Sequence, residues 1–232
     1  MSGGPPDLDL FGRVPDPFSG EAAPLPVPPA LPPGPAPTRA QHRGRMLAAV
    51  AVALLFQGVW IAMARHRPTL DDALTPGHLA FGLGVPLLAM GLAWWAATRP
   101  GRGGLGTPAA ALAVVIAAAP LLFAVVMLAT SPPDQDASMW AFVDRAARCA
   151  ASAGVLCAVS LGLLAFAFRH AFAAASTWRT AALGVACGSL AAATMTLCCF
   201  HREAMHVVVG HGSMMLVGGL VGALLGRRFT RT

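Results

Sequence analysis

The side chains best suited to chemistry concentrate in one short stretch: Cys198-Cys199-Phe200-His201-Arg202-Glu203-Ala204-Met205-His206, with His211 five positions further on. Thiolate, imidazole and thioether are ligands for soft metals, and they are also readily oxidised. The stretch covers the end of one apolar run, a tight turn and the start of the next run. On an α-helix the two histidines His206 and His211 stand about 140° apart, so they do not share a face. His211 falls about a turn and a half into the apolar run and needs a hydrogen-bond partner from a neighbouring helix. One reading is an interhelical polar network fixing the last two apolar runs, with no cofactor expected. The other is a metal, haem or redox-sensing site built on Cys198, Cys199, His206 and His211. The five cysteines, Cys149, Cys157, Cys187, Cys198 and Cys199, are odd in number and lie in or beside apolar runs. They contain no CxxC and suggest no disulfide framework.

The elements that carry these residues follow from composition. Of 232 residues 56% are hydrophobic and 11% charged, against about a quarter charged in an average soluble domain. A chain this apolar cannot cover its surface with polar groups, so most of that surface faces lipid. Six apolar spans are expected, at about Met46–Ala64, His78–Ala97, Ala109–Thr130, Ala150–Phe168, Ala181–Phe200 and His206–Leu225. Each is close to the ~20 residues that cross a ~30 Å hydrocarbon core as helix. The runs are too continuous for barrel strands, which alternate every second residue. The expected fold is therefore an all-α membrane protein of about six transmembrane helices. Its expected domains are a disordered arm over 1–45, a helical domain over 46–226 and a short tail over 227–232. Pro86 and Pro120 inside spans two and three mark kinks or packing points. The small residues of spans five and six predict close helix–helix approach. Gln57 in span one is a lone polar group, read as a packing residue.

The formal charge of +6 comes from sixteen basic residues, all of them arginine. No basic stripe with interleaved aromatics is present, so direct nucleic-acid binding is not expected. Instead the arginines sit beside or between the spans. Ten of them (Arg39, Arg43, Arg45, Arg99, Arg102, Arg169, Arg179, Arg227, Arg228 and Arg231) fall on one side, and Arg65, Arg67, Arg145, Arg148 and Arg202 on the other. The positive-inside rule then puts both termini in the cytoplasm. Trp94 and Trp95 fit an aromatic belt at the cytoplasmic end of span two. The Ala/Arg/Gly/Pro bias without lysine points to a GC-rich bacterial genome, and so to the bacterial inner (cytoplasmic) membrane. No apolar h-region precedes the first span, which is expected to act as an uncleaved signal-anchor.

Residues 1–45 are a different material. The run from Pro24 to Pro37 cannot form a helix or a central strand, because proline lacks the N–H and fixes φ, and extended polyproline II is expected. Ahead of it Asp7, Leu8, Asp9, Leu10 and Phe11 form an acidic-hydrophobic cluster. A short segment with two or three apolar anchors can fold onto a partner groove, so these five residues are candidates for partner binding. Enzyme signatures such as GxSxG, HExxH or a phosphate-cradling glycine loop are missing, and no enzymatic activity is expected. The spans hold no acidic residue or arginine to mark an ion path, and no internal repeat is evident, which disfavours a transporter.

From about Arg145 to Arg228 the pattern is familiar. It has the pair Arg148-Cys149, a helix ending in Arg169-His170, a small-residue span and Leu197-Cys198. His206 and His211 then open a last helix ending in Gly226-Arg227-Arg228. This resembles the six-helix membrane anti-sigma factors of the NrsF type, including the myxobacterial CarR-like regulators of light-induced carotenoid genes. In that family the cysteine is typically followed by Pro and then a spaced His or Trp-His; here Cys199 follows Cys198. The resemblance implies that the cytoplasmic arm binds an extracytoplasmic-function sigma factor and keeps it from core RNA polymerase. A signal at the membrane, such as light or oxidative stress, would then release it. The alternative is a membrane sensor or carrier of metal or haem that uses the Cys/His cluster.

Overall fold

The computed structural model describes residues 39–65, 76–99, 107–132, 138–167 and 177–229. Residues 1–38 of the expected arm, with the Pro-rich run, the expected disorder and the cluster Asp7–Phe11, lie outside the described residues. The helices belong to one compact unit, Thr38–Thr232. They are α1 (Arg39–Arg65), α2 (Pro76–Thr98), α3 (Ala109–Thr130), α4 (Met139–Ala167) and α5 (Thr177–Cys198). A short α6 (Ala204–Val207) then runs through a π-helical turn (Val208–Gly212) into α7 (Ser213–Phe229). No strand occurs among the described residues. Six helical segments, the last being Ala204–Arg228, are long and apolar enough to cross a membrane, as the six apolar runs predict.

Two helix starts differ clearly, and α1 begins at Arg39 rather than near Met46. The fourth helix begins at Met139 rather than near Ala150, because its start is set by capping rather than by apolarity. The Ser138 hydroxyl accepts the Ala141 N–H at 3.1 Å, satisfying one of the amides that a helix start leaves open. Asp144 and Arg148, one turn apart, then pair at 2.8 Å on the helix surface. At 29 residues the helix is about 44 Å long, longer than a hydrocarbon core, so its polar first turns extend beyond the apolar layer.

The order of packing follows from side-chain size. The central helix is α5, with every residue from Thr180 to Thr196 buried except Leu190. Its face carries Gly184 and Gly188; the facing side of α7 carries Gly218, Gly222 and Gly226. A Cβ at Gly184 would run into the carbonyl of Gly218, one at Gly188 into that of Met214, and one at Gly222 into that of Thr180. The two backbones are in direct contact, which only glycine allows here. This is the close approach that small residues at four-residue spacing predict. On the other side of α5, Thr196 donates to the Gly82 carbonyl of α2 at 2.9 Å, so α2 also packs tightly. Pro86 and Pro120 stay within unbroken helices.

The outer helices bury less and expose large apolar side chains, among them Leu55, Met63, Leu121, Val125 and Leu220. In water such a surface would be unfavourable; against lipid it is the expected one. Gln57 is buried and donates through Nε2 to Ser160 Oγ at 3.1 Å, joining α1 to α4. Ser160 in turn donates to the Leu156 carbonyl at 2.8 Å. Arg99 lies over the exposed ring of Trp95 at 4.6 Å, an arrangement suited to a headgroup region.

Candidate functional site

The end of the bundle where α5 finishes and α6 begins carries the site. Cys199 follows α5, and its amide still donates to the Met195 carbonyl at 2.8 Å, so the last turn holds the thiol inward. The chain turns through Phe200–Glu203. It re-enters a helix at Ala204, whose N–H donates to the Pro132 carbonyl beyond α3 at 3.0 Å. His206 and His211 then point into the bundle, 2% and 0% exposed.

Their convergence corrects the helical-wheel expectation. The segment Val208–Gly212 is a π-helix, whose i→i+5 hydrogen bonding widens the turn by one residue. Residues five apart therefore fall on one face, and the rings of His206 and His211 meet edge-on with centroids 5.7 Å apart. Two glycines let neighbouring helices close on this turn. A Cβ at Gly210 would lie 3.2 Å from Cys149 Cβ, and one at Gly212 would lie 2.8 Å from the Phe123 ring.

The close approach at Gly210 brings Cys149 of α4 into the group. Its sulfur lies 3.5 Å from that of Cys199, and the Cys199 sulfur lies 3.4 Å from His206 Nε2. Counting one ligand atom from each of Cys149, Cys199, His206 and His211, all four lie within 4.8 Å of one another. Neither ring nitrogen of His211, nor Nδ1 of His206, has a hydrogen-bond partner among the described residues. Burying polar nitrogens without partners costs on the order of 1–3 kcal/mol each, so the expected polar network is incomplete.

Of the four residues singled out in the sequence, the structure unites Cys199, His206 and His211 and leaves Cys198 out. Consecutive residues at a helix end point about 100° apart. Cys199 faces the histidines, while Cys198 lines the wall of an adjoining cleft of about 540 Å³. Cys149 takes the fourth place. The sequence marks it only as one of five cysteines and as half of the pair Arg148-Cys149. No local signal could mark it as a partner, since the approach depends on α4 packing against the π turn. The cleft opens beside the cluster and is lined by Trp60 and Met63 of α1, Arg145 and Cys149 of α4, and Cys199 and His201.

The turn adds a graded rim. The His201 ring lies tilted against that of His206, with centroids 4.9 Å apart, and its Nδ1 lies 3.7 Å from Glu203 Oε2. Burial lowers the His201 pKa from the usual imidazole range; His206 and Arg145 act in the same direction and Glu203 opposes them. The hydrogen bond with Cys149, and then burial, push the Cys199 thiol up.

A family model described as "NrsF: Negative regulator of sigma F" matches residues 32–231. No curated protein and no solved structure matches the chain.

Proposed function

Since the chain belongs to the NrsF family, negative regulators of sigma F, we propose that this regulator holds an extracytoplasmic-function sigma factor at the bacterial inner membrane. The family match over nearly the whole helical unit carries the reading. The cytoplasmic N-terminal arm is the proposed docking element, with Asp7, Leu8, Asp9, Leu10 and Phe11 as contact residues. Only the residues ahead of the Pro-rich run suit docking as a short helix or strand. Arg99, Arg102 and Arg169 of the connecting segments and Arg179 in the first turn of α5 would add to the interface.

The orientation proposed is N- and C-termini cytoplasmic. It is supported by the two-to-one excess of arginine on that side and by the even number of spans. In this arrangement the Cys/His cluster lies toward the non-cytoplasmic end of the helical bundle. Such a placement suits a protein that receives a signal on one side and releases a bound protein on the other. The signal is proposed to be light or oxidative stress, with carotenoid genes repressed until then. Nothing in the site calls for enzymatic turnover, and the proposed role is binding and release.

The test is purification of the full-length protein in detergent from its native cells, with mass spectrometry of what co-purifies. A sigma factor retained by the full chain and lost without residues 1–20, with the helices still inserted, supports the reading and the arm's part in it. A truncated protein that still represses fully overturns the role of the arm. An eluate without any sigma factor overturns the sequestration reading.

A further inference from the structure

Four donor atoms, three of them from buried residues and one from half-buried Cys149, converge within 4.8 Å of one another. We infer that Cys149, Cys199, His206 and His211 form a closed tetrahedral site for one zinc ion, clamping α4 to the turn between α5 and α6. The inference goes beyond the regulatory reading and does not depend on which protein the regulator holds.

The donor set is the first argument. Two thiolates and two imidazoles are a common structural zinc set, with Zn–S about 2.3 Å and Zn–N about 2.0–2.1 Å. Tetrahedral bonds of those lengths put the donors about 3.3–3.8 Å apart. The observed S···S separation of 3.5 Å and S···N separation of 3.4 Å already match. The largest separation within the group, 4.8 Å or less, closes with a side-chain adjustment of about an ångström.

The second argument is the state of His211. It is fully buried, and neither ring nitrogen has a partner among the described residues. A metal bond supplies what the fold does not. The third is charge. Zinc with two thiolates and two neutral imidazoles is a neutral unit, so burying it in an apolar bundle incurs no penalty for a net charge. Binding is ligand exchange without redox. The Zn–S and Zn–N bonds form, zinc gives up its bound waters, and the two thiol protons leave to the aqueous phase.

Compactness excludes the larger groups. Haem fills four equatorial positions of its iron and leaves only axial places for protein ligands. Four protein donors around one point leave no room for its plane. A two-iron cluster with two cysteines on one iron and two histidines on the other would hold the pairs apart, yet Cys199 and His206 are in contact. The adjoining cleft, which reaches Cys149 and Cys199, provides an entry path.

The test uses the full-length protein purified in detergent without chelator from zinc-supplemented cells. One zinc per chain is expected by elemental analysis. A drop of at least roughly tenfold in retained zinc is expected in Cys149→Ser and in His211→Asn, with Cys198→Ser unchanged. Cobalt(II) exchanged into the wild-type protein should give the intense visible absorption of a tetrahedral thiolate site, which keeps the question open to test should a variant fail to fold. Wild-type protein that neither retains zinc nor acquires the cobalt spectrum overturns the site. Zinc retained equally by Cys149→Ser, or lost in Cys198→Ser alone, overturns the assignment of these ligands. Because metal content is read without any sigma factor present, failure here is distinguishable from failure of the regulatory reading.

Discussion

His211 sits edge-on beneath His206, ring centroids 5.7 Å apart, although five positions separate them in the chain. The π turn between them makes this possible, and its glycines let α4 and α3 close on it. The chemistry of the site thus depends on a local departure from α-helical geometry, and π turns often mark functional positions.

Gly210 controls the approach of α4. Gly210→Leu is expected to push Cys149 away from Cys199, since even a Cβ there would lie 3.2 Å from Cys149 Cβ. The expected outcome is faster alkylation of both thiols, by about tenfold or more if the separation costs the local structure about 1.4 kcal/mol. Quantitative labelling followed by mass spectrometry reads it. Unchanged labelling at both thiols would mean that the turn does not control the approach.

The α5–α7 contact should be the least tolerant part of the bundle. Gly184→Leu meets the Gly218 backbone, which has no rotamer by which to yield. Its cost should reach or exceed the roughly 1–3 kcal/mol of ordinary overpacking. Gly162, with open space where its Cβ would be, provides the contrast: Gly162→Ala is expected to be neutral or to stabilise by up to about 1 kcal/mol through helix propensity. Thermal unfolding of both variants in detergent ranks them.

Gln57 is buried, but its contribution is expected to be small. Ser160 already donates to the Leu156 carbonyl, so removing Gln57 leaves no orphaned donor. Gln57→Leu should change stability by about 0.6 kcal/mol, the average for an interhelical hydrogen bond in a membrane protein. A loss of several kcal/mol in the same unfolding assay would show that Gln57 anchors α1.

Orientation can be read with reporters. An alkaline phosphatase fused after Gln135, in the connection between α3 and α4, is expected to be active outside the cytoplasm. The same enzyme fused after Arg228 is expected to be inactive. The reverse pattern would turn the protein over and place the Cys/His cluster on the cytoplasmic side.

Much of this protein is legible from the sequence alone. Six uninterrupted apolar runs near twenty residues long leave helices as the structure that satisfies the backbone in lipid, and the glycines at four-residue spacing in Gly184–Gly188 and Gly218–Gly226 foretell which backbones touch. The start of α4 was not legible, because a serine cap and an exposed Asp144–Arg148 pair extend a helix without any apolar signal. The site was legible only in part. Local chemistry drew attention to Cys199, His206 and His211, but membership of the cluster is a tertiary matter. Which of two adjacent cysteines faces inward depends on where α5 ends. His211 meets His206 because the helix there widens to a π turn, and no residue pattern within the segment announces that. Cys149 arrives from fifty positions away because Gly210 lets two helices close. Apolar periodicity is written residue by residue; a cluster of donors exists only when separate elements pack.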